Sequence, residues 1–248
     1  MKTVLITGCS SGFGLETARC FLDKGWNVIA TMRTPRADVL PPSPRLRILP
    51  LDVGNAESIS QAISAAGPID VLVNNAGVGL LGALEGQPMD VIAEIFQTNT
   101  LGTIAMTQAV VPQFRERGDG VVINVTSTVT LRALPLLAVY TASKAAVNAF
   151  TESLALELEP LGVRVRLVLP GLAPDTRFGE NARPRMQAES PEAYAALLGK
   201  VFEGFQNPGP ITRSIDVAEA VWQAATDPTV PMRLPAGEDA RQLAAEVA

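Results

Sequence analysis

The chain has 248 residues, 47% of them hydrophobic and 18% charged, so it buries a substantial core and is too mixed in composition to be disordered. A net charge of −5, with no basic run, leaves no footprint for a nucleic-acid backbone or an anionic membrane, and neither is expected as a partner. There is no histidine, which excludes Ser-His-Asp and Cys-His hydrolases, a histidine general base and a two-histidine zinc site. Cys9 and Cys20 are the only thiols, too few for a disulfide scaffold or a four-thiolate metal site. They are expected to be small buried side chains in a reducing compartment, with no metal bound. The N-terminus lacks the apolar stretch of a signal peptide and no run approaches transmembrane length, which predicts a soluble cytoplasmic protein.

Val4 to Thr7 reads as a buried strand, followed by a glycine and serine turn and a helix over Leu15 to Lys24 that Gly25 stops. Asn27 to Met32 and Leu46 to Leu51 read as strands joined by a proline-laden connection, Pro35 to Pro44, that no helix can occupy. A short helix over Ser58 to Ala66 leads to an apolar strand over Ile69 to Val73. The alternation continues with a helix over Asp90 to Arg117, a strand over Gly120 to Val125, a long helix over Val139 to Glu159 and a strand over Val163 to Leu169. Continuous apolar strands alternating with helices predict one α/β unit over residues 1–248, a doubly wound parallel sheet in three α/β/α layers, the Rossmann arrangement. Its ligands bind at the carboxyl ends of the strands.

Periodicity lapses from Ala173 to Arg185. Ser190 and Pro191 then read as an N-cap and first-turn proline of a helix that reaches Phe205. Tyr194, Leu197, Leu198, Val201, Phe202 and Phe205 share one stripe. Such a stripe either docks on the core or closes on a substrate. Its place just past a strand's carboxyl end favours a lid over 172–210. Val217 to Ala225 is a further helix, and the last dozen residues read as a frayed tail.

Three segments point to chemistry. The first strand and helix are joined by Thr7-Gly8-Cys9-Ser10-Ser11-Gly12-Phe13-Gly14, whose glycines let backbone N–H groups approach a pyrophosphate at the positive end of a helix dipole. The second strand ends in Arg33 with no carboxylate nearby. A dinucleotide fold chooses its cofactor at that position, and the arginine, with Ser11, favours the 2′-phosphate of NADP over NAD. Tyr140 and Lys144 lie one turn apart on a helix face, where an ammonium stabilises a phenolate and brings a tyrosine into range as general acid or base. Ser127, just past the Gly120 to Val125 strand, is placed to hydrogen-bond the oxygen that the tyrosine protonates. A strand-end turn residue is the ordinary alternative for that serine.

Thr7-Gly-x-x-x-Gly-x-Gly14, Asp52, Asn74-Asn75-Ala76-Gly77, Asn99-x-x-Gly102, Ser127, Tyr140-x-x-x-Lys144 and Pro170-Gly171 occur in that order. Together they resemble the short-chain dehydrogenase/reductase family over nearly the whole chain. The resemblance implies Asn99, Ser127, Tyr140 and Lys144 as the catalytic set, with Asn99 holding a water that links Lys144 to solvent. It implies cofactor contacts at Gly8, Ser10, Ser11, Gly12, Phe13, Gly14, Arg33, Asp52, Val53, Asn75, Ala76, Gly77, Tyr140, Lys144, Pro170, Gly171 and Leu172. Asp52 would meet the adenine, Asn74 would brace the central strands, and Pro170 to Leu172 would border the nicotinamide. The Thr7 to Gly12 stretch and Arg233-Leu-Pro-Ala-Gly-Glu-Asp-Ala240 look like the hydroxysteroid and retinol dehydrogenase branch, which implies a bulky apolar ketone or alcohol as substrate.

Two departures from the family pattern stand out. Thr130 replaces a common glycine three residues after the serine, which predicts a tighter or more polar pocket wall. Asp175 and Thr176 put the expected threonine one place late. The resemblance also implies a homodimer or homotetramer paired through the helices at 100–117 and 140–159. The alternatives are a dinucleotide sensor without turnover, which has no need of an acid/base set, and a biosynthetic ketoreductase, which differs in the pocket alone.

Overall fold

A computed structural model describes residues 1–186, 191–206 and 209–247. Seven parallel strands form one sheet in the order β3-β2-β1-β4-β5-β6-β7: β1 Thr3–Ile6, β2 Asn27–Met32, β3 Leu46–Pro50, β4 Val71–Asn74, β5 Gly120–Val125, β6 Val163–Pro170 and β7 Arg233–Ala236. The helices are α1 Gly12–Asp23, α2 Ala56–Ala66, α3 Met89–Phe96, α4 Gly102–Arg117, α5 Ala138–Leu158, the short α6 Phe178–Ala182, α7 Ala195–Gln206, α8 Ser214–Thr226 and α9 Glu238–Glu246. Among the described residues no helix is long and apolar enough to cross a membrane.

Strand alternation sends neighbouring side chains to opposite faces, and both faces are covered. Val4, Ile6, Val71, Val73, Val121 and Ile123 pack with Ala18 and Phe21 of α1 and with Val217 and Val221 of α8. Leu5, Leu72 and Val122 pack on the other side with Met106, Val110 and Phe114 of α4. Strand order reverses between β1 and β4, and at such a switch point diverging loops open a crevice at the carboxyl edge. No helix or strand separates β2 from β3, as the prolines require.

The structure differs from the sequence expectation in three places. The helix expected over Asp90 to Arg117 is interrupted: Gln97–Leu101 forms a π-turn between α3 and α4, a feature that recurs at functional sites because it re-aims side chains. The last dozen residues, expected to fray, carry α9, with Ala240 fully buried, just after β7 closes the sheet. The reason is long-range, since β7 pairs with β6 from Leu167↔Arg233 to Pro170↔Ala236. The expected N-cap Ser190 lies outside the described residues. Pro191 precedes a 3-10 turn, Glu192–Tyr194, and α7 follows it.

Candidate active site

The loop after β1 is shaped by contacts that tolerate only glycine. Gly8 and Gly12 have φ of 75° and 56°, and a Cβ on Gly8 would stand 2.9 Å from the Ala76 Cα. A Cβ on Gly14 would overlap the Gly8 carbonyl. Asn75 braces this loop from β4, its Nδ2 donating to the carbonyls of Thr7 at 2.9 Å and Gly8 at 3.2 Å. Thr7 Oγ1 in turn accepts the N–H groups of Asn75 and Ala76, each at 2.9 Å. The asparagine expected to touch a cofactor therefore spends its side-chain amide on holding the cradle. Asn74 points the other way and ties β4 to Thr107 at 3.1 Å and Asn124 at 2.9 Å.

Arg33 is exposed at the end of β2. Arg36, which sequence reasoning missed, extends its guanidinium back to the Ser10 carbonyl at 2.9 Å and so puts a second cation on the glycine loop. The signal was a second arginine in the same connection. Asp52 Oδ1 accepts the Gly54 N–H at 2.9 Å. Val53 is buried, and a Cβ on Gly102 would come within 2.8 Å of its side chain, which explains the glycine three residues after Asn99. Cys9 donates to the Ile6 carbonyl, and burial pushes its thiol up to about 12, so it is inert near neutral pH.

Ser127, Tyr140 and Lys144 converge, each less than a tenth exposed. Burial raises the Tyr140 phenol above its ordinary range, and a side-chain hydrogen bond with Ser127 pulls it back. Burial lowers the Lys144 ammonium to about 8, and its Nζ donates to the Val125 carbonyl at 3.1 Å. In the free protein burial sets the phenol and Ser127 is the group that opposes it, so the expected depression by the ammonium is not found there. Asn99, on the π-turn, accepts the Val78 N–H at 2.8 Å and donates to the Val78 carbonyl at 2.9 Å and Ser143 Oγ at 3.0 Å. A Cβ on Gly77 would lie 3.3 Å from both Asn99 Oδ1 and Lys144 Nζ, so this glycine keeps the asparagine, the lysine and the β4 loop together.

Thr130, half-buried, commits its hydroxyl within the fold. Its hydroxyl donates to the Ser127 carbonyl at 2.8 Å and accepts from Asn148 Nδ2 at 2.9 Å. That chain ties the turn bearing Ser127 to the helix bearing Tyr140, and Asn148 had no sequence signal beyond its spacing of four from Lys144. Asp175 accepts the Ser214 N–H at 3.1 Å at the start of α8, while Thr176 faces the glycine loop, 3.3 Å from where a Gly12 Cβ would stand. The threonine one place late is therefore the one turned to the cradle.

Over the phenol stands Phe178, its ring centroid 5.8 Å from that of Tyr140. It is seated on Gly79, whose Cβ would come within 2.8 Å of the ring. Arg185 pairs with Glu94 and fastens this segment to α3. On α7, Leu197, Leu198 and Val201 are half-buried, whereas Phe202 and Phe205 are 48% and 42% exposed. The stripe is thus half-covered over its first part and open to solvent at Phe202 and Phe205.

A glycine-lined crevice at the switch point of a parallel sheet, beside a buried serine, tyrosine and lysine, defines an oxidoreductase-type dinucleotide fold. The family model for short chain dehydrogenases matches residues 2–187, and the chain belongs to that family. It is 35% identical to the uncharacterized oxidoreductase YusZ of Bacillus subtilis, over 96% of this chain and 89% of that one. It is 39% identical to retinol dehydrogenase 8 of Homo sapiens, over 68% of this chain and 58% of that one, so the hydroxysteroid and retinol dehydrogenase branch is among its relatives. The closed form of serine dehydrogenase complexed with NADP+ superposes with a TM-score of 0.78 at 32% identity, over 94% of this chain and 93% of that one.

Proposed function

We propose that the protein is an NADP(H)-dependent oxidoreductase that moves a hydride between nicotinamide and the carbonyl or secondary alcohol carbon of a bulky apolar small molecule. The observation that carries this reading is the buried Ser127, Tyr140 and Lys144 group beside the glycine cradle. The cradle fits a dinucleotide, because α1 starts directly on the glycine loop and its N-cap Ser11 makes no side-chain hydrogen bond to the helix, which leaves the first N–H groups for a phosphate. Arg33 and Arg36 supply cations at the end of β2, suited to a 2′-phosphate. Gly8, Ser10, Ser11, Gly12, Phe13 and Gly14 would hold the pyrophosphate, and Asp52 and Val53 the adenine. Ala76 and Gly77 would line the adenosine side, Pro170 to Leu172 the nicotinamide.

When bound, the dinucleotide supplies or takes up a hydride at nicotinamide C4. The protein's own part is the proton. Tyr140, held neutral by burial, donates it to the carbonyl oxygen, and Ser127 hydrogen-bonds that oxygen as charge develops. Lys144, still a cation near neutral pH, stabilises the resulting phenolate. Asn99 lies beside Lys144 and lines the route by which a water returns the proton. Phe178 and the stripe on α7 form the apolar wall, which favours a bulky ketone or alcohol. We further propose pairing into a homodimer or homotetramer through α4 and α5, where Leu156 is 74% exposed.

The test is fluorescence titration with NADPH and NADH, then turnover of aliphatic, aromatic and steroidal ketones. Tight NADPH binding with turnover is expected. Binding without turnover of any ketone or matching alcohol would move the reading to a dinucleotide sensor. In Tyr140→Phe, turnover falls by at least about 100-fold with NADPH affinity retained. Full activity in that variant would remove the proton role.

A further inference from the structure

We propose that Asp239 and Thr212 form a clamp that sets the depth of the Pro170–Leu172 loop in the site, which makes Asp239 a positioning residue for hydride transfer. The proposal rests on the reading above that this loop borders the nicotinamide. β6 ends at Pro170, paired with Ala236 of β7, and the chain beyond it loses its ladder partners. Backbone groups released at a strand end need replacements, and here they come from two distant segments.

Asp239 Oδ2 accepts the Leu172 N–H at 2.7 Å. Thr212 Oγ1 accepts the Gly171 N–H at 2.9 Å, and Thr212 N–H donates to the Leu172 carbonyl at 2.8 Å. The threonine's own proton has two acceptors, Asp239 Oδ1 at 2.6 Å and the Ala236 carbonyl at 2.8 Å. Thr212 is fully buried, and Asp239 sits in the first turn of α9, where the helix dipole favours a carboxylate.

Two glycines make room for this clamp. A Cβ on Gly171 would overlap the Asp239 carboxylate, and one on Gly237, where φ is 109°, would overlap Thr212 Oγ1. Gly171 is therefore glycine because the clamp approaches it. The motif Arg233 to Ala240, outside the proton chemistry, gains a role through its glycine and its aspartate. A carboxylate bond to a backbone N–H is short and directional, so the loop's contact surface is fixed rather than adaptable. Displacement of a positioning group by about 1 Å can cost on the order of 100-fold in rate.

The experiment compares Asp239→Ala, Asp239→Asn and Thr212→Val in the full chain. It measures NADPH affinity by fluorescence, amide exchange at Leu172, kcat with a ketone, and Tm. Asp239→Ala is expected to weaken NADPH binding about 10-fold or more and to raise Leu172 exchange at least as much, from loss of a charge-assisted bond. Asp239→Asn, whose amide oxygen still accepts from Leu172, recovers most of the affinity. Thr212→Val falls between them and carries the test if Asp239→Ala fails to fold. Ile69→Ala, in the core on the other face of the sheet and ahead of β4 at its amino edge, lowers Tm and leaves NADPH affinity unchanged.

Wild-type affinity with a protected Leu172 amide in Asp239→Ala would overturn the clamp, as would wild-type affinity in Thr212→Val. A loss in Asp239→Ala no greater than Ile69→Ala shows at equal Tm would overturn it too. In those cases wild-type binding and turnover leave the reading of the site intact. A wild-type protein that binds neither NADPH nor NADH removes that reading, and the clamp's role falls with it.

Discussion

Thr130 carries the most information per atom at the residue scale. By spanning Ser127 and Asn148 it fixes the distance between the turn that bears the serine and the helix that bears the tyrosine. Thr130→Val removes both bonds and is expected to lower kcat about 10-fold, a loss of about 1.4 kcal/mol, with NADPH affinity unchanged; an unchanged kcat would show that Ser127 holds its place without the threonine. Lys144 makes a pH statement. Its ammonium is lowered from 10.5 to about 8, so between those values the unfolded chain binds a proton that the folded one has released. Stability from this group therefore rises with pH from about 8 to 10.5, and its burial is a penalty in full below 8. Cys9, raised from 9.0 to about 12, acts in the opposite direction above pH 9. Denaturation of wild type against Lys144→Met isolates the lysine: the difference should move in favour of wild type as pH climbs from 8 to 10. A difference that stays flat would contradict the burial penalty.

At the scale of elements, the π-turn places Asn99 and the segment after β6 places Phe178 beside Tyr140. The π-turn rotates Asn99 inward from a helix whose periodicity reads as unbroken in sequence. Past β6, α6 seats Phe178 on Gly79 over the phenol, and α7 leaves Phe202 and Phe205 exposed. A helix with an uncovered aromatic pair contributes little to stability through it, so Phe202→Ser with Phe205→Ser should leave Tm within about 2 °C, as exposed substitutions do. The same double variant should raise KM for apolar ketones several-fold, about 1 kcal/mol of lost apolar contact, at constant NADPH affinity. Equal KM for small and bulky ketones, before and after, would take α7 out of substrate contact. Its chain spacing was legible, because five apolar residues of α7 share a stripe with Tyr194 just before it. What that stripe faces was not, since periodicity gives a face and no partner.

At the scale of the molecule, α1 and α8 are locked by Phe21, Trp26 and Trp222, whose rings meet edge to face at centroid distances of 5.1 to 5.5 Å. Lys24 covers the Trp222 face at 4.9 Å. Phe21 is fully buried at the centre of this trio, and Phe21→Ala should cost about 3–5 kcal/mol, read as a loss of Tm and of denaturant midpoint. Because α1 also presents its N-terminus to the glycine cradle, the same variant should loosen NADPH binding; intact affinity at full occupancy of the folded state would show that the helix start is held by the β1 loop alone.

Local chemistry determined much of this protein by itself. Apolar runs of strand length, prolines that forbid a helix before β3 and glycines after β1 are read residue by residue, because each acts through its own backbone or its nearest neighbours. Tyr140 and Lys144 lie four apart on one helix, so their shared face also follows from spacing. The rest depended on segments far apart in sequence. Arg36 reaches Ser10, Thr130 meets Asn148, and Asp239 meets Leu172 across 67 residues. The order of the C-terminal segment arises from pairing with β6 and from burial of Ala240, which no local propensity encodes. Hydrogen bonds and packing between distant segments exist only after the sheet has brought their strand ends to one edge, and at that edge the tertiary structure decided which polar groups meet.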